Sequence, residues 1–309
     1  ERFYRLDYGP VTIIVLDVCN GNDADTSQDT SVGYLNRAAG CEAPDFNPGS
    51  VQYQWLESQL ADAQTNSRFT FVSFHQVPYS VGYHGRPYPG DTQPGVPTRV
   101  LTNLFFRYGV DAVLSGHDEM YEHSQVTGTE VRPDGSTKDH TVHIYDLGIG
   151  GDGLRGVNLV SNPYETFRAH EDAPEQYDPS GVLTNGGKHY GHMEINVGTN
   201  AQGVWEATLT PVYVFVSTNT AGVVQGYDRR IYDDEGVVTE ETRALTVVSD
   251  YGAPWPGVGV HDYAYGTPVA AWVGGEDTQG TTQYLCTGWA GSGSVPVIGS
   301  DTQVTFSVT

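Results

Sequence analysis

The stretch "RYGVDAVLSGHDEMYEHS", residues 107–124, decides the fold. Its apolar run at residues 110–114 predicts a short buried strand. Three polar residues that fill no core, His117, Asp118 and Glu119, follow where this strand ends. In open α/β sheets, ligands bind at the carboxyl ends of the strands, because the loops there converge on a crevice. Imidazole nitrogen and carboxylate oxygen are ligands of divalent metal ions, so this turn predicts a metal site at an edge of the sheet.

Strands and helices alternate on the amino-terminal side of this stretch. In order they are a buried strand "VTIIVLDV" (11–18), an amphipathic helix "SVQYQWLESQLADAQ" (50–64), a strand "RFTFVSFHQVPYS" (68–80) and a helix "TRVLTNLFFRYG" (98–109). The apolar face of the first helix is expected to consist of Val51, Trp55, Leu56, Leu60 and Ala63. With the strand at 110–114, this order predicts a layered α/β domain.

The pattern changes in the second half of the chain. From Lys138 the apolar period shifts towards two, which indicates strands, and residues 244–309 are rich in Gly, Thr and Val and nearly free of Lys and Arg. We therefore predict a first domain at 1–243 and a small β module at 244–309. The aromatic stretch "YGAPWPGVGVHDYAYG" (251–266) could bind sugar by stacking, but core and turn roles are favoured for its Tyr, Trp and Pro residues.

Charge and composition narrow the class of protein. Among 309 residues, 38 are acidic and 15 are Lys or Arg, which gives a formal charge of -23. Such a surface repels nucleic acid and anionic lipid, and an anionic phosphate substrate would need positive charge from bound metal ions. No apolar run reaches the length of a membrane span. The low Lys content and the many Gly, Thr and Tyr residues are typical of a β-rich protein that is secreted or lies at the cell surface, in an extracellular or periplasmic location.

A long polar loop at residues 20–48 raises two separate questions. Cys19 and Cys41 flank it, and either form a disulfide in an oxidising compartment or stay buried thiols. Asp23 and Asp25 could hold calcium, but the Gly and Glu positions of an EF-hand loop are absent, so a solvated acidic loop is favoured.

Two histidines are placed to converge. His75 follows "FVSF", and His117 with Glu119 follows "AVLSG". Both strands run in the same direction within one α/β unit, so their ends meet at one edge of the sheet. A single loop histidine is more often a hydrogen-bonded residue than a ligand, but two at neighbouring strand ends favour a metal site.

The ordered set of segments between residues 4 and 153 resembles the calcineurin-like metallophosphoesterases, especially their purple-acid-phosphatase-like branch. It includes "YRLDYGPVTIIVLDV", "QYQWLESQLADA", "FVSFHQVPYS", "YGVDAVLSGHDEMYEHS" and "IYDLGIGGDG". The resemblance implies a two-sheet sandwich flanked by helices. It also implies two metal ions (Fe, Zn or Mn) at the carboxyl ends of the strands and a phosphate ester as substrate.

The resemblance assigns roles to single residues. His75 and His117 match ligands of one metal ion, and Glu119 stands where the family has a second His that binds the other ion. A carboxylate there can still bind metal but changes the charge of the site, and Asp118 is an alternative ligand. His84 lies near the position of a His that contacts phosphate and protonates the leaving group.

The family's motifs Asp-x-His, Gly-Asp-x-x-Asp/Tyr and Gly-Asn-His-Glu/Asp do not occur in this sequence. We expect this segment to be the carboxyl-terminal portion of a longer enzyme, with the missing half on the same or a separate chain. Residues 1–309 alone are then expected to be inactive.

Three further residues are candidate substrate or metal contacts. His189 and His192, in "GGKHYGHMEINV", fall on opposite faces of a strand unless a turn at Gly191 brings them together, and hydrogen-bonding or surface roles are favoured. Arg155, in "GGDGLRG", could bind an anion, though a tight turn explains this stretch more simply.

Three functions compete. The first is a phosphoric ester hydrolase, a phosphatase or phosphodiesterase, that uses a two-metal site. The second is a non-catalytic structural or adhesive surface protein that reuses the fold and could assemble with copies of itself. A module that binds carbohydrate or calcium ranks third.

Overall fold

The computed structural model describes residues 2–18, 30–31, 42–87, 91, 94–151, 153–154, 160–169, 175–201 and 203–309. The predicted Cys19–Cys41 pair, the calcium ligands Asp23 and Asp25, and Arg155 lie outside these residues. The chain forms two compact units. The first unit comprises Glu1–Asn196 and Thr208–Val237, and the second comprises Val197–Ala207 and Val238–Thr309. The boundary between the two units at 237–238 lies near the predicted domain boundary at 243–244. The predicted boundary stays a prediction.

The elements are short and mostly strands. Up to residue 199 the strands are β1 (Tyr4–Tyr8), β2 (Val11–Val15), β3 (Thr30–Ser31), β4 (Glu42–Ala43), β5 (Phe69–Gln76), β6 (Ala112–Gly116), β7 (Tyr121–Val131), β8 (Thr137–Leu147), β9 (Glu165–Arg168), β10 (Gln176–Tyr177), β11 (Leu183–Asn185) and β12 (Gly191–Thr199). They continue as β13 (Trp205–Thr218), β14 (Val224–Ile231), β15 (Gly236–Thr239), β16 (Thr242–Val247), β17 (Gly259–Ala264), β18 (Pro268–Trp272), β19 (Glu276–Gln279), β20 (Thr282–Leu285), β21 (Trp289–Ala290), β22 (Ile298–Gly299) and β23 (Gln303–Ser307). The helices are α1 (Val51–Asn66), α2 (Thr102–Arg107) and the 3-10 helices Tyr83–Gly85, Val96–Leu101 and Gly148–Gly150.

A seven-stranded mixed sheet organises the first unit, in the order β1-β2-β5-β6-β8-β7-β9. Strands β2, β5, β6 and β8 are parallel to their neighbours in that run, and β1, β7 and β9 pair antiparallel at the two sides. Helix α1 connects β2 to β5, and α2 connects β5 to β6. The predicted strand-helix-strand-helix-strand alternation is therefore confirmed. It places the carboxyl ends of β5 and β6 side by side.

Apolar periodicity explains how the helices cover this sheet. Leu56, Leu60 and Ala63 of α1 are fully buried, and the two leucines pack with Phe105 of α2 and the inner residues of the strands in one core. The Ser50 hydroxyl caps α1 by accepting a hydrogen bond from the Tyr53 backbone N–H, at 3.2 Å. The buried face of α1 includes Gln52 in place of the expected Val51.

One residue of the expected apolar face was misplaced. Val51 is 80% exposed, whereas Gln52 is buried. The Gln52 amide hydrogen-bonds both the N–H and the carbonyl of Asp17, each at 2.9 Å. Gln52 can point inwards because the backbone N–H and carbonyl of Asp17, just beyond β2, satisfy both polar atoms of its amide.

A second sheet packs on the other face of the first. It consists of β12, β13 and β14, with β15 beside β13. Tyr121 of β7 stacks on Tyr232, at 5.3 Å between ring centroids, and Tyr213 of β13 stacks on Tyr232 at 4.2 Å. The aromatic layer between the sheets confirms the predicted two-sheet sandwich with helices against it.

The described residues from 238 to 309 form pairs of short antiparallel strands, β16 with β17, β18 with β23, β19 with β20, and β21 with β22. This agrees with the predicted all-β module. In the parts of the chain that the structure describes, no helix is long and apolar enough to cross a membrane.

Candidate functional site

Two imidazoles meet at the carboxyl ends of β5 and β6. His75 is the next-to-last residue of β5, and His117 directly follows β6. The two strands are parallel neighbours, so the residues that leave them point to a common edge. His75 Nε2 lies 3.0 Å from His117 Nδ1. The structure thus brings together the two histidines that the sequence predicted to converge.

The turn that carries His117 has an unusual backbone. His117 has a φ of +83°, the left-handed region, and it is the one non-glycine residue with positive φ among those described. This conformation costs a non-glycine residue about 1–3 kcal/mol and persists where the surroundings enforce it. Gly148 packs against the same turn, since a Cβ there would lie 1.7 Å from the Asp118 carbonyl oxygen. Close packing on glycine therefore holds the turn, and with it the direction of the His117 ring.

A third imidazole completes what we call the imidazole cluster, His75, His117 and His84. The His84 ring lies 3.7 Å from the His117 ring, centroid to centroid, and is only 7% exposed. Its Nδ1 is 2.7 Å from the Asp91 carboxylate. Burial lowers the pKa of His75, and the nearby His84 lowers it further. Part of the His75 side chain stays exposed. Sequence reasoning missed Asp91, because no fixed spacing links it to the histidine it orients.

Asp118, predicted as an alternative metal ligand, is buried beneath this cluster. One carboxylate oxygen accepts a hydrogen bond from the Ser80 hydroxyl at 2.6 Å, and the other accepts one from the His84 backbone N–H at 3.1 Å. Gly82 lies so close that a Cβ there would be 2.3 Å from the Asp118 carboxyl carbon. Asp118 therefore fixes the loop that carries His84.

Glu119 lies on the buried side of the turn, in a group of carboxyls with Asp118, Glu122 and Asp146. Burial, and then the charges of Asp118, Glu122 and Glu119, raise the pKa of the fully buried Asp146 well above its usual value. Burial also raises the pKa of Glu122 to about 7, although it accepts hydrogen bonds from the Val81 N–H and the Asn162 amide. Burial and the neighbouring negative charges therefore both favour the protonated form of Asp146.

The residues present match only part of a metal site. Two His–metal bonds of about 2.0–2.1 Å to one ion place their nitrogens about 3.0–3.4 Å apart, so the His75–His117 spacing of 3.0 Å fits two ligands of one ion. Among the described residues, however, no group of three or more His, Cys, Asp or Glu side chains is arranged to hold a metal ion. The predicted set of His75, His117, Asp118 and Glu119 therefore does not form a two-metal centre by itself.

His189 and His192 lie apart from each other. His189, just before β12, is buried against Tyr213 and Phe215, and its Nε2 is 2.9 Å from the Gly186 carbonyl oxygen. His192, within β12, has an exposed side chain 3.3 Å from Glu194. These contacts are those of a core residue and a surface residue.

A second group of histidines lies between the two sheets. His123 Nδ1 is 3.1 Å from the Asp234 carboxylate, and His123 Nε2 is 2.9 Å from His143 Nδ1. The Tyr121 hydroxyl donates to the other Asp234 oxygen, at 2.6 Å. The period of two along β7 and β8 could have shown that residues 121, 123 and 143 share a face.

Comparisons with known proteins give weak likenesses. No family model and no curated protein matches the sequence. Among solved structures, the purple acid phosphatase PPD1 from yellow lupin (Lupinus luteus) seeds is 14% identical with a TM-score of 0.37, over 74% of this chain and 32% of that one. GAP50, the anchor in the inner membrane complex of Plasmodium, is 15% identical with a TM-score of 0.34, over 75% of this chain and 54% of that one. The chain spans about a third and about half of these two proteins, and neither likeness assigns a function to it.

Proposed function

We propose that this chain is the carboxyl-terminal portion of a metal-dependent phosphoric ester hydrolase of the purple-acid-phosphatase-like type. The observation that carries the proposal is the imidazole cluster, in which nitrogens of His75 and His117 lie 3.0 Å apart at the carboxyl ends of two parallel strands. The ordered sequence resemblance over residues 4–153 supports it. We further propose a secreted or cell-surface location, on the basis of composition.

In this proposal His75 and His117 give two nitrogen ligands to one Fe, Zn or Mn ion, and the other ligands come from residues beyond those described. A bound ion supplies positive charge to a protein whose formal charge is -23 and polarises a phosphoryl oxygen. Burial lowers the pKa of His75 and so favours the neutral imidazole, which is the form that binds metal.

His84 is the proposed proton donor. Asp91 accepts from Nδ1 of the His84 ring, which leaves Nε2 as the atom that exchanges a proton. The His84 ring lies against the His117 ring at an angle of 34°, so a phosphate ester held beside His117 would present its leaving oxygen near His84. Asp118 and Ser80 hold the backbone of this loop and position the ring.

The second candidate function is a non-catalytic surface scaffold. Two observations favour it: Glu119 stands at the position of the family's second His, and the described residues contain no group of three metal ligands. A scaffold needs the packing of the turn but has no need for metal.

Metal binding separates the two candidates. The purified chain, stripped with chelator, is titrated with Zn²⁺ and Mn²⁺ by calorimetry, alongside His75→Ala, His117→Ala and the control His192→Ala, which changes an exposed histidine of the second sheet. We expect one weak site that either of the first two substitutions removes and the control retains. Metal binding that is absent, or that survives both substitutions, would favour the scaffold.

Activity is tested on the longer polypeptide that contains this segment. Hydrolysis of p-nitrophenyl phosphate, its bis ester and phenyl phosphate, which has a poorer leaving group, is measured with and without His84→Asn. The proposal expects the substitution to lower kcat most for esters with poor leaving groups, because these depend on protonation of the departing oxygen.

A further inference from the structure

Two tryptophans of the second unit form an exposed pair. Trp255 and Trp272 face each other across an antiparallel bridge, with reciprocal backbone hydrogen bonds of 2.7 and 2.8 Å. Residues directly opposite in such a pair project to the same side of the sheet. The two residues are 61% and 51% exposed. The sequence favoured core and turn roles for this aromatic stretch, and for Trp255 the core role is wrong, because its indole is left in solvent.

The pair is held rigidly. Both backbone groups of each tryptophan are used in the bridge, and Trp255 stands between Pro254 and Pro256, whose rings restrict the backbone on either side. Large apolar side chains exposed singly need no explanation, but adjacent ones on a fixed backbone mark an interaction surface. A preordered surface also loses little conformational entropy when a ligand binds.

The pair borders a cavity of about 870 Å³ that lies within the second unit. Its walls also contain Trp289, Phe306 and several Ser and Thr residues. Among the described residues, the buried indole N–H of Trp289 has no hydrogen-bond acceptor. Aromatic walls with a few polar groups, in a cavity of about 300–1,000 Å³, are the usual features of a small-molecule site.

Charge decides the class of ligand. Arg243 is the one Lys or Arg in the sequence from 238 to 309, and it pairs with Glu241. Acidic residues are in excess over the same range, so an anionic ligand would be repelled. A cation binds over the face of a single ring, so the experiment below includes a cation as the competing ligand. A neutral ligand with flat apolar faces uses both exposed indoles.

We propose that the second unit binds neutral carbohydrate, with sugar rings lying flat on Trp255 and Trp272. Pyranose rings present apolar C–H faces to the indoles and hydroxyl groups at their edges, and Ser and Thr side chains lie in the wall of the cavity beside them. This site is independent of the imidazole cluster and of the proposed hydrolase.

The test uses the whole chain and a panel of neutral polysaccharides: mixed-linkage β-glucan, xylan, mannan and their oligosaccharides. Binding is followed by affinity electrophoresis, calorimetry and tryptophan fluorescence. We expect at least one of the panel to bind. Trp255→Ala and Trp272→Ala should each weaken it about tenfold, and the double variant should abolish it.

Tyr227→Ala is the matched control, because Tyr227 is an 81% exposed aromatic residue of β14 in the first unit, and its removal should leave binding unchanged. Trp255→Tyr, which keeps a stacking face, should retain part of the affinity if the Ala variant fails to fold. The proposal is overturned if no member of the panel binds, or if the folded double variant binds as well as the parent. It is equally overturned if tetramethylammonium or a peptide, and no sugar, perturbs the tryptophan fluorescence.

Discussion

Replacement of His143 by glutamine should make the first unit less sensitive to mild acid. His143 projects from β8 towards the second sheet, with Nδ1 2.9 Å from His123 Nε2. Burial, and then the neighbouring His123 and His140, lower the pKa of His143 to about 4. The unfolded chain takes up this proton near pH 6.5, whereas the folded chain takes it up only near pH 4. Between these values the unfolded state binds more protons, so the free energy of unfolding falls as the pH falls.

The expected size follows from those two pKa values. Acidification from pH 7.5 to 5.5 costs about 1.3 kcal/mol through this one group as an upper limit. The ring is partly exposed, so solvent screening reduces the loss to about 1 kcal/mol. Glutamine keeps an amide that can hydrogen-bond His123 and cannot be protonated in this range. The variant should therefore lack this part of the pH dependence.

The assay is urea unfolding at both pH values. Unfolding is monitored by hydrogen exchange of peptides from β7 and β8, because this signal reports the first unit alone. Buried carboxyls such as Glu122, whose raised pKa makes the folded state more stable as pH falls, act in the opposite direction but equally in every variant. His192→Gln, at an exposed histidine of β12, is the control and should behave as the parent. An equal acid-induced loss in His143→Gln and the parent would refute the reasoning.

Three further substitutions test the packing. Phe105→Ala, at a fully buried ring of the core, should lower the free energy of unfolding by about 3–5 kcal/mol in urea titrations, and a loss under 1 kcal/mol would contradict the core described above. Ser50→Ala removes the cap of α1 and should cost about 1 kcal/mol, read as a lower Tm, with Ser50→Asp as the variant that keeps a capping oxygen. Gly82→Ala brings a Cβ to 2.3 Å from the Asp118 carboxyl carbon and should lower the free energy of unfolding by about 1–3 kcal/mol. Gly150→Ala is the control, because a Cβ there meets no atom within 4 Å. Equal Tm values for these two variants would count against the close packing of Gly82.

The candidate site was predictable where it depended on strand direction. Parallel neighbours share an edge, so the direction of β5 and β6 is enough to predict that His75 lies near His117. Glu119 was grouped with them because it follows the same strand. In the structure the left-handed turn at His117 leaves Asp118 and Glu119 buried on the inner side, next to Asp146. Sequence spacing alone does not report which way such a turn faces.

Partners distant in sequence were not predictable. Asp91 orients His84 and Asp234 holds His123, yet no fixed spacing or repeated pattern links either pair in the chain. The resemblance named His84 as a catalytic residue, but the carboxylate that fixes its tautomer appears only when the loop is folded.

The sequence alone determined the order of strands and helices and the β-rich second unit, because apolar periodicity is a local property that each segment carries by itself. The two-sheet sandwich was implied only by the family resemblance. Tertiary structure decided which polar side chains meet and which aromatic ones stay in water. Trp255 and Phe105 are both large and apolar, but one is 61% exposed and the other is fully buried. That difference depends on which surfaces the folded chain brings against them, and distant segments supply those surfaces.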